Sequence, residues 1–131
     1  MTQPSPTSRR RCAAHGRQDC RIRPGSCWST FRLAQRDILE FCQVAPYPER
    51  AWPDEYWPPT PEPPTPEAWD ESVAAVGRDR EELQRLIVDP GVDLVGIVPH
   101  GTTQTYLREV LVAADHNAFH VGQLMVVKRL L

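Results

Sequence analysis

The sequence lacks long hydrophobic runs, which limits where the protein can act. No apolar stretch approaches the roughly 20 residues that a helix needs to cross a bilayer. Residues 1–20 also contain no apolar block like that of a secretory signal. We therefore expect a cytoplasmic protein with no membrane partner. Cysteine is scarce as well, and four unevenly spaced cysteines do not form a disulfide framework, so we expect reduced thiols.

Acidic residues are nearly absent from the start of the chain, and Lys128 is the single lysine. Eight of the 14 arginines precede Asp37, and the only acid before that position is Asp19. The whole chain nevertheless has a formal net charge of -2, which excludes a uniformly basic nucleic-acid binder. We expect no nucleic-acid partner. The length of 131 residues suits one domain with tails.

Residues 1–29 show neither helical nor strand periodicity and contain few aliphatic residues, which predicts a disordered Arg/Pro/Cys-rich tail. One alternative is a small zinc site touching nucleic acid, built from Cys12, His15, Cys20 and Cys27 in a C-x2-H-x4-C-x6-C array. This array lacks a second paired-ligand knuckle and the apolar residues that would pack around the metal. An organelle-targeting peptide is another alternative, but prolines and a glycine interrupt its amphipathic helix.

Two helices are predicted before residue 90, separated by a proline-rich connection. The first has an apolar stripe at steps of three and four and ends before Pro46. That stripe consists of Phe31, Ala34, Ile38, Phe41 and Cys42, which makes Cys42 a core thiol. The connection, residues 46–66, excludes helix, but its aromatic residues should pack along the domain. These aromatic residues are Trp52, Tyr56 and Trp57.

The second helix has clear sequence signals at both ends. Thr65 can cap free amides, Pro66 is tolerated in the first turn, and Pro90-Gly91 stops the helix. Its predicted apolar stripe is Trp69, Val73, Val76, Leu83, Leu86 and Ile87. Its opposite, charged face is Arg78, Asp79, Glu81, Glu82 and Arg85. The stretch after it, Val92–Val98, has no partner strand and is predicted to be an extended loop.

The last helix should run from about Thr103 to Leu131 and has no fully polar face. One side is apolar, with Leu107, Leu111, Ala114, Ala118, Val121 and Met125. The other side carries Glu109, His116, His120 and Gln123. Such a helix is usually buried on two sides, so we expect a bundle core on the apolar side and a second packing surface or site on the other.

His116 and His120 form an HxxxH pair, whose spacing on a helix stacks two imidazoles close enough to ligate one divalent metal ion. The pair can equally be two packing histidines, and a bare HxxxH favours that plainer interpretation. Polar neighbours that could orient the imidazoles favour a metal site. These neighbours are Glu109, Asp115, Asn117 and Gln123.

Several segments together resemble the DinB-like superfamily. Tyr106–Glu109 and Ala114–Leu124, which reads ADHNAFHVGQL, are similar to its C-terminal signature. Leu33–Phe41, Trp52–Pro58 and Ile97–Gly101 are similar, in the same order, to one subgroup. The resemblance implies an all-α, DinB-like four-helix bundle that holds a divalent metal, often nickel or zinc, through three histidines. Characterised relatives use thiol cofactors in transferase or isomerase reactions.

His116 and His120 match two of the family's metal ligands. The third normally lies in a motif close to W-Q-L-L-E-H, but here the matching segment is Gly25–Thr30, with Thr30 in the place of the histidine. We therefore expect an incomplete domain over residues 30–131 that lacks the first helix and holds zinc or nickel weakly. Glu109 would lie too far along the helix for direct ligation, and His100 is predicted to be a capping or loop-packing residue.

A shifted reading frame would explain this departure. Codons for Gly25–Thr30, read one nucleotide earlier, can encode W-Q-L-L-E-H, and the arginine excess fits a GC-rich gene with open alternate frames. The hypothesis is that residues 1 to about 30 are translated out of frame. The functional prediction is a metal-dependent enzyme of thiol-dependent transferase or hydrolase type with an impaired site, acting on a small thiol or another small molecule. The alternatives are a non-catalytic bundle for binding or homodimerisation, and a non-functional product.

Overall fold

The computed structural model describes residues 24–51, 54–56 and 65–130, with only the backbone of residues 24–26. These residues form three α-helices: α1 (Pro24–Cys42), α2 (Pro66–Val88) and α3 (Tyr106–Leu130). A short 3-10 helix spans Asp54–Tyr56. No strand occurs among the described residues, so the predicted all-α class is confirmed there. The fourth helix and the family assignment stay predictions.

Helix α1 begins at Pro24, seven residues before the Phe31 at which the sequence pattern placed its start. The predicted disordered tail of residues 1–29 is therefore wrong for residues 24–29, and the expected domain boundary at residue 30 lies inside a helix. Proline suits a first helical turn, and tertiary packing can stabilise a helix whose composition alone would not. Residues 1–23, which include the proposed cysteine and histidine array up to Cys20, lie outside the described residues.

Helix α1 lies between the other two helices. It runs antiparallel to α3, because Cys27 near its start meets His120, whereas Cys42 at its end lies near Glu109. It runs parallel to α2, because Trp28 donates to Ser72 and the later Arg36 pairs with Asp79. The apolar centre shared by the three helices is small and consists of Leu39, Leu83 and Ala113, with Ile38 packed against it.

The predicted bounds of α2 are confirmed. The Thr65 side chain accepts a hydrogen bond from the amide of Ala68, Pro66 follows at the first helical position, and the helix ends at Val88 before Pro90-Gly91. The prediction for its charged face is wrong at Asp79, which is buried and pairs with Arg36 at 3.1 Å. The charge is accommodated there because the partner helix supplies a cation.

The described part of the connection between α1 and α2, residues 43–51 and 54–56, packs along α1, as the sequence predicted. Tyr56 is buried, and its hydroxyl donates to Oδ2 of Asp37 at 2.6 Å. The Tyr47 hydroxyl and the Arg50 guanidinium both donate to Oδ1 of the same carboxylate. Burial, followed by the hydrogen bond to Asp37, raises the pKa of Tyr47 to about 12. The two tryptophans, Trp52 and Trp57, lie outside the described residues.

The stretch Val92–Val98 forms turns and a single bridge, between Ile97 and Thr105, which confirms the predicted loop. Gly101 allows the loop to close tightly, since a Cβ at this position would lie 2.8 Å from Cγ2 of Val98. Val98 itself is among the most buried side chains. The loop therefore has a fixed shape that leads directly into α3.

The burial of the two sides of helix α3 is the reverse of the prediction. The stripe predicted to form the bundle core lies on the outside, with Leu111 60% and Val121 51% exposed. The buried residues of α3 are Glu109, Ala113 and His120. Sequence periodicity identifies an apolar stripe but not whether a partner helix covers it, and no described helix packs on this side. None of the described helices is long and apolar enough to span a membrane.

Candidate metal site between helices α1 and α3

His116 and His120 lie one turn apart on the side of α3 that faces α1. His120 is 8% exposed and His116 is half-buried. Their Nε2 atoms are 3.2 Å apart, and their ring centroids are 4.4 Å apart. The structure thus brings together the two histidines that the sequence singled out.

Cys27 of α1 contacts the second histidine. Its sulfur lies 3.1 Å from Nδ1 of His120 and 3.3 Å from Oε1 of Gln123. The cysteine is 5% exposed, so this contact is shielded from solvent. Sequence reasoning assigned Cys27 only to a disordered tail or to an N-terminal zinc array. If the predicted helix had been extended toward the N-terminus, the three-residue spacing of Cys27 and Thr30 would have placed both on one helix face.

Thr30, which the sequence resemblance predicted to stand in place of a third histidine, is also buried. Its hydroxyl donates to the backbone carbonyl of Tyr56 at 3.3 Å, which ties α1 to the connection. A threonine hydroxyl is a poor zinc or nickel ligand compared with an imidazole. The site therefore has two imidazoles from α3 and no histidine from α1.

Glu109 and His100 lie away from the two histidines. Glu109 is buried and pairs with Arg108. Burial of the Cys42 thiol, and to a smaller extent the charge of Glu109, raise the pKa of Cys42 to about 12. His100 is a loop-packing residue, as predicted. Its Nε2 lies 2.9 Å from the carbonyl oxygen of Ala45, and its ring lies against Tyr47.

A hydrogen-bonded pair of amides fixes the two helices next to the histidines. Asn117 Nδ2 donates to Gln35 Oε1 at 2.7 Å, and Gln35 Nε2 donates to the carbonyl oxygen of Val76 on α2 at 2.9 Å. This chain of bonds links all three helices. Beside it, Nδ1 of His116 and Oδ1 of Asn117 are buried without a hydrogen-bond partner among the described residues.

Burial keeps the site neutral. It lowers the pKa of His116, an effect that the neighbouring His120 increases and Asp115 opposes. Burial also lowers the pKa of His120, against the effect of the hydrogen bond to Gln123. Burial raises the pKa of the Cys27 thiol. Because a metal binds imidazole only in its neutral form, the lowered histidine pKa values favour binding at neutral pH.

A wide-open surface cavity of about 910 Å³ lies along the outer side of α3 and includes His116 in its lining. Its walls are largely apolar, with polar groups from Arg108 and Asp115. The complete lining is Thr105, Leu107, Arg108, Leu111, Val112, Asp115, His116, Ala118 and Phe119. A volume of this size is sufficient for a small organic ligand, and it would bring that ligand to one imidazole of the pair.

The two imidazoles fit two positions of a metal ion. Zinc–nitrogen bonds of about 2.0–2.1 Å at a tetrahedral angle separate two nitrogens by about 3.3 Å, close to the separation observed here. Within residues 24–51, 54–56 and 65–130, no group of three or more His, Cys, Asp or Glu side chains is arranged to hold a metal. The other coordination positions would belong to water or a ligand.

The chain matches no known family model, and neither the curated proteins nor the solved structures contain one that is significantly similar to it.

Proposed function

We propose that the chain is a DinB-like helical protein that binds a divalent zinc or nickel ion weakly through Nε2 of His116 and Nε2 of His120. The observation that carries this proposal is the 3.2 Å separation of the two nitrogens, which matches two ligands of one ion. Burial supports it, since it lowers the pKa of both imidazoles and so favours the neutral form that a metal binds. Both histidines also belong to the segment that resembles the family.

A bound divalent ion with open positions lowers the pKa of a water or thiol ligand and supplies a nucleophile near neutral pH. The two histidines would hold that ion, and the cavity beside His116 would take the substrate. Its apolar side chains can contact the nonpolar part of such a molecule, and the Arg108 guanidinium, which also pairs with Glu109, can contact an anionic group. This arrangement suits a thiol-dependent transferase or a hydrolase that acts on a small molecule.

Metal titration of the purified protein tests the proposal. We expect Zn²⁺ and Ni²⁺ to bind with one weak site, and His116→Ala or His120→Ala to abolish that binding. His100→Ala is the matched control, because this histidine packs in the loop and should leave metal affinity unchanged. Loss of binding in the His100 variant, with binding retained in the other two, would overturn the site assignment.

Restoring an imidazole on α1 gives a sharper test. Thr30→Ser is a conservative control, whereas Thr30→His places the missing ligand type where the family has it. We expect metal affinity to rise clearly in the histidine variant and to stay weak in the serine variant, since a third ligand adds a bond and closes the site. Equal, stoichiometric metal in the unchanged protein and in Thr30→His would mean that the ligand assignment is wrong.

The exposed outer side of α3 favours a second candidate, a non-catalytic module that forms homodimers. The four-and-three spacing of a coiled-coil seam is followed by Leu107, Leu111, Ala114, Ala118, Val121 and Met125. We expect Val121→Asp to weaken self-association in sedimentation velocity experiments. Val95→Asp is the control, because it makes the same change at a still more exposed position in a loop. Self-association without any metal binding would favour this candidate over the enzyme.

A further inference from the structure

We propose that Cys27 is a positioning residue for His120. Its sulfur accepts a hydrogen bond from Nδ1–H of the imidazole and thereby fixes the tautomer that leaves Nε2 of His120 available to a metal. The part of this inference that concerns the metal rests on the proposed function, whereas the tautomer is a property of the protein without metal. It gives α1 a role in the site even though Thr30 has replaced the histidine.

The two ring nitrogens of His120 have different partners. Nδ1 lies 3.1 Å from the Cys27 sulfur, and Nε2 lies 3.2 Å from Nε2 of His116. A neutral imidazole carries one proton, so one of these nitrogens donates and the other accepts. Proteins usually hold a metal-binding histidine by giving its second ring nitrogen a hydrogen-bond acceptor, and Cys27 occupies that position here.

Gln123 decides the direction of the hydrogen bonds. Its Oε1 can only accept and lies 3.3 Å from the Cys27 sulfur, and the carbonyl oxygen of His120 lies 3.8 Å from the same sulfur, so the thiol hydrogen has oxygen acceptors other than Nδ1. With its hydrogen on an oxygen, the sulfur can accept Nδ1–H of His120 at 3.1 Å, beside the hydrogen bond between His120 and Gln123. Cys27 and His120 are both more than nine-tenths buried, so water cannot readily replace either bond.

His116 differs from His120 in this respect. Its Nδ1 is buried with no hydrogen-bond partner among the described residues. In the protein without metal, Nε2–H of His116 can donate to Nε2 of His120, which is the arrangement that the proposed tautomer requires. His120 is thus the oriented nitrogen ligand, and His116 is held chiefly by its contact with it.

The tautomer can be measured without metal. We would record ¹⁵N chemical shifts of the histidine rings in the presence of a chelator. Cys12 and Cys20 would be changed to Ser, so that the two cysteines of α1 are the remaining thiols. We expect the Nδ1–H tautomer at His120 and a clear shift toward Nε2–H in Cys27→Ala. Cys42→Ala is the matched control, being a second buried cysteine on α1, next to Glu109, and should leave the tautomer unchanged.

Metal affinity provides the second measurement. We expect Cys27→Ala to weaken Zn²⁺ binding by about 10–100-fold, the usual effect of removing such an orienting partner, and Cys42→Ala to have no effect. Cys27→Ser retains an acceptor and should recover part of the affinity and of the Nδ1–H tautomer. This conservative variant also distinguishes positioning from a general packing defect.

Three outcomes would overturn the inference. An Nε2–H tautomer at His120 in the unchanged protein would show that the sulfur donates instead of accepting. A tautomer that does not respond to Cys27→Ala would show that the contact has no influence. A thiolate-to-metal absorption band with Co²⁺ would show that Cys27 ligates the metal directly. If no variant binds metal but the tautomer behaves as expected, the proposed function fails and the positioning role of Cys27 stands.

Discussion

The inner and outer sides of α3 differ in the opposite sense from most amphipathic helices. The inner side, which faces α1, carries Glu109, His116, Asn117, His120 and Gln123. The outer side carries large apolar residues that stay exposed, among them Leu111 and Phe119. Burying polar groups is costly unless each finds a partner. Three of these residues meet α1 through polar contacts, His120 and Gln123 with Cys27 and Asn117 with Gln35, whereas Glu109 pairs within its own helix.

The outer side of α3 is an exposed apolar surface. An exposed apolar stripe of this length usually marks a surface that another helix covers. The expectation of an incomplete bundle without its first helix stays a prediction. The small apolar centre formed by Leu39, Leu83 and Ala113 then has to support the fold of the described residues.

The largest expected effect comes from breaking that centre. Leu39 is 1% exposed and packs on α3 through Ala113. We expect Leu39→Ala to lower the free energy of unfolding by about 2–5 kcal/mol, because it removes buried methyl groups and leaves a cavity. Urea unfolding followed by circular dichroism measures the change.

Leu111→Ala is the matched control on the outer side of the same helix. Its side chain is 60% exposed, so the same chemical change should cost less than about 0.5 kcal/mol. Equal losses in the two variants would mean that the outer side is covered in solution. The contrast between the two sides of α3 would then not hold.

A smaller effect should follow from breaking the amide pair on the inner side. Gln35 accepts from Asn117 and donates to the carbonyl oxygen of Val76, so Gln35→Ala leaves two buried groups without partners. We expect a loss of about 1–3 kcal/mol in the free energy of unfolding. Gln84→Ala, at an exposed position of α2, should cost nothing measurable. If Gln35→Ala leaves the free energy of unfolding unchanged, water satisfies the side-chain amide of Asn117 and the carbonyl oxygen of Val76.

Much of this architecture follows from local sequence signals. Thr65-Pro66 and Pro90-Gly91 predict the ends of α2 because capping and proline geometry act within one turn. The HxxxH spacing likewise predicts that His116 and His120 come together, since both lie on one helix. Such predictions need no knowledge of the remaining fold.

The features that could not be predicted depend on partners distant in the sequence. Cys27 and His120 are separated by 93 positions, so neither residue alone indicates the contact. The start of α1 at Pro24 was missed because its first turns contain few aliphatic residues, although Cys27 and Thr30 are buried there. The outward orientation of the α3 stripe was missed for a similar reason, because periodicity does not reveal which helix is present to cover it.

The smallest expected effect is a pH dependence that arises from the inner side alone. Burial lowers the pKa of both His116 and His120 in the folded protein. Between the folded pKa and the unfolded value of about 6.5, the unfolded chain binds more protons, so stability increases with pH in that window. The free energy of unfolding should therefore be greatest above about pH 6.5 and fall as the pH decreases below it, levelling off below the folded pKa values.

Urea unfolding in a chelator at about pH 7.5 and about pH 5.5 would measure this dependence, because carboxylates contribute little within that range. The double variant His116→Gln with His120→Gln removes both titrating groups and should flatten the response. His100→Gln, which changes a histidine packed in the loop, should retain it. A double variant that loses stability on acidification as steeply as the unchanged protein would show that the imidazoles facing α1 are well solvated. The inner side of α3 would then resemble an ordinary polar surface, and the contrast with its outer side would lose its electrostatic basis.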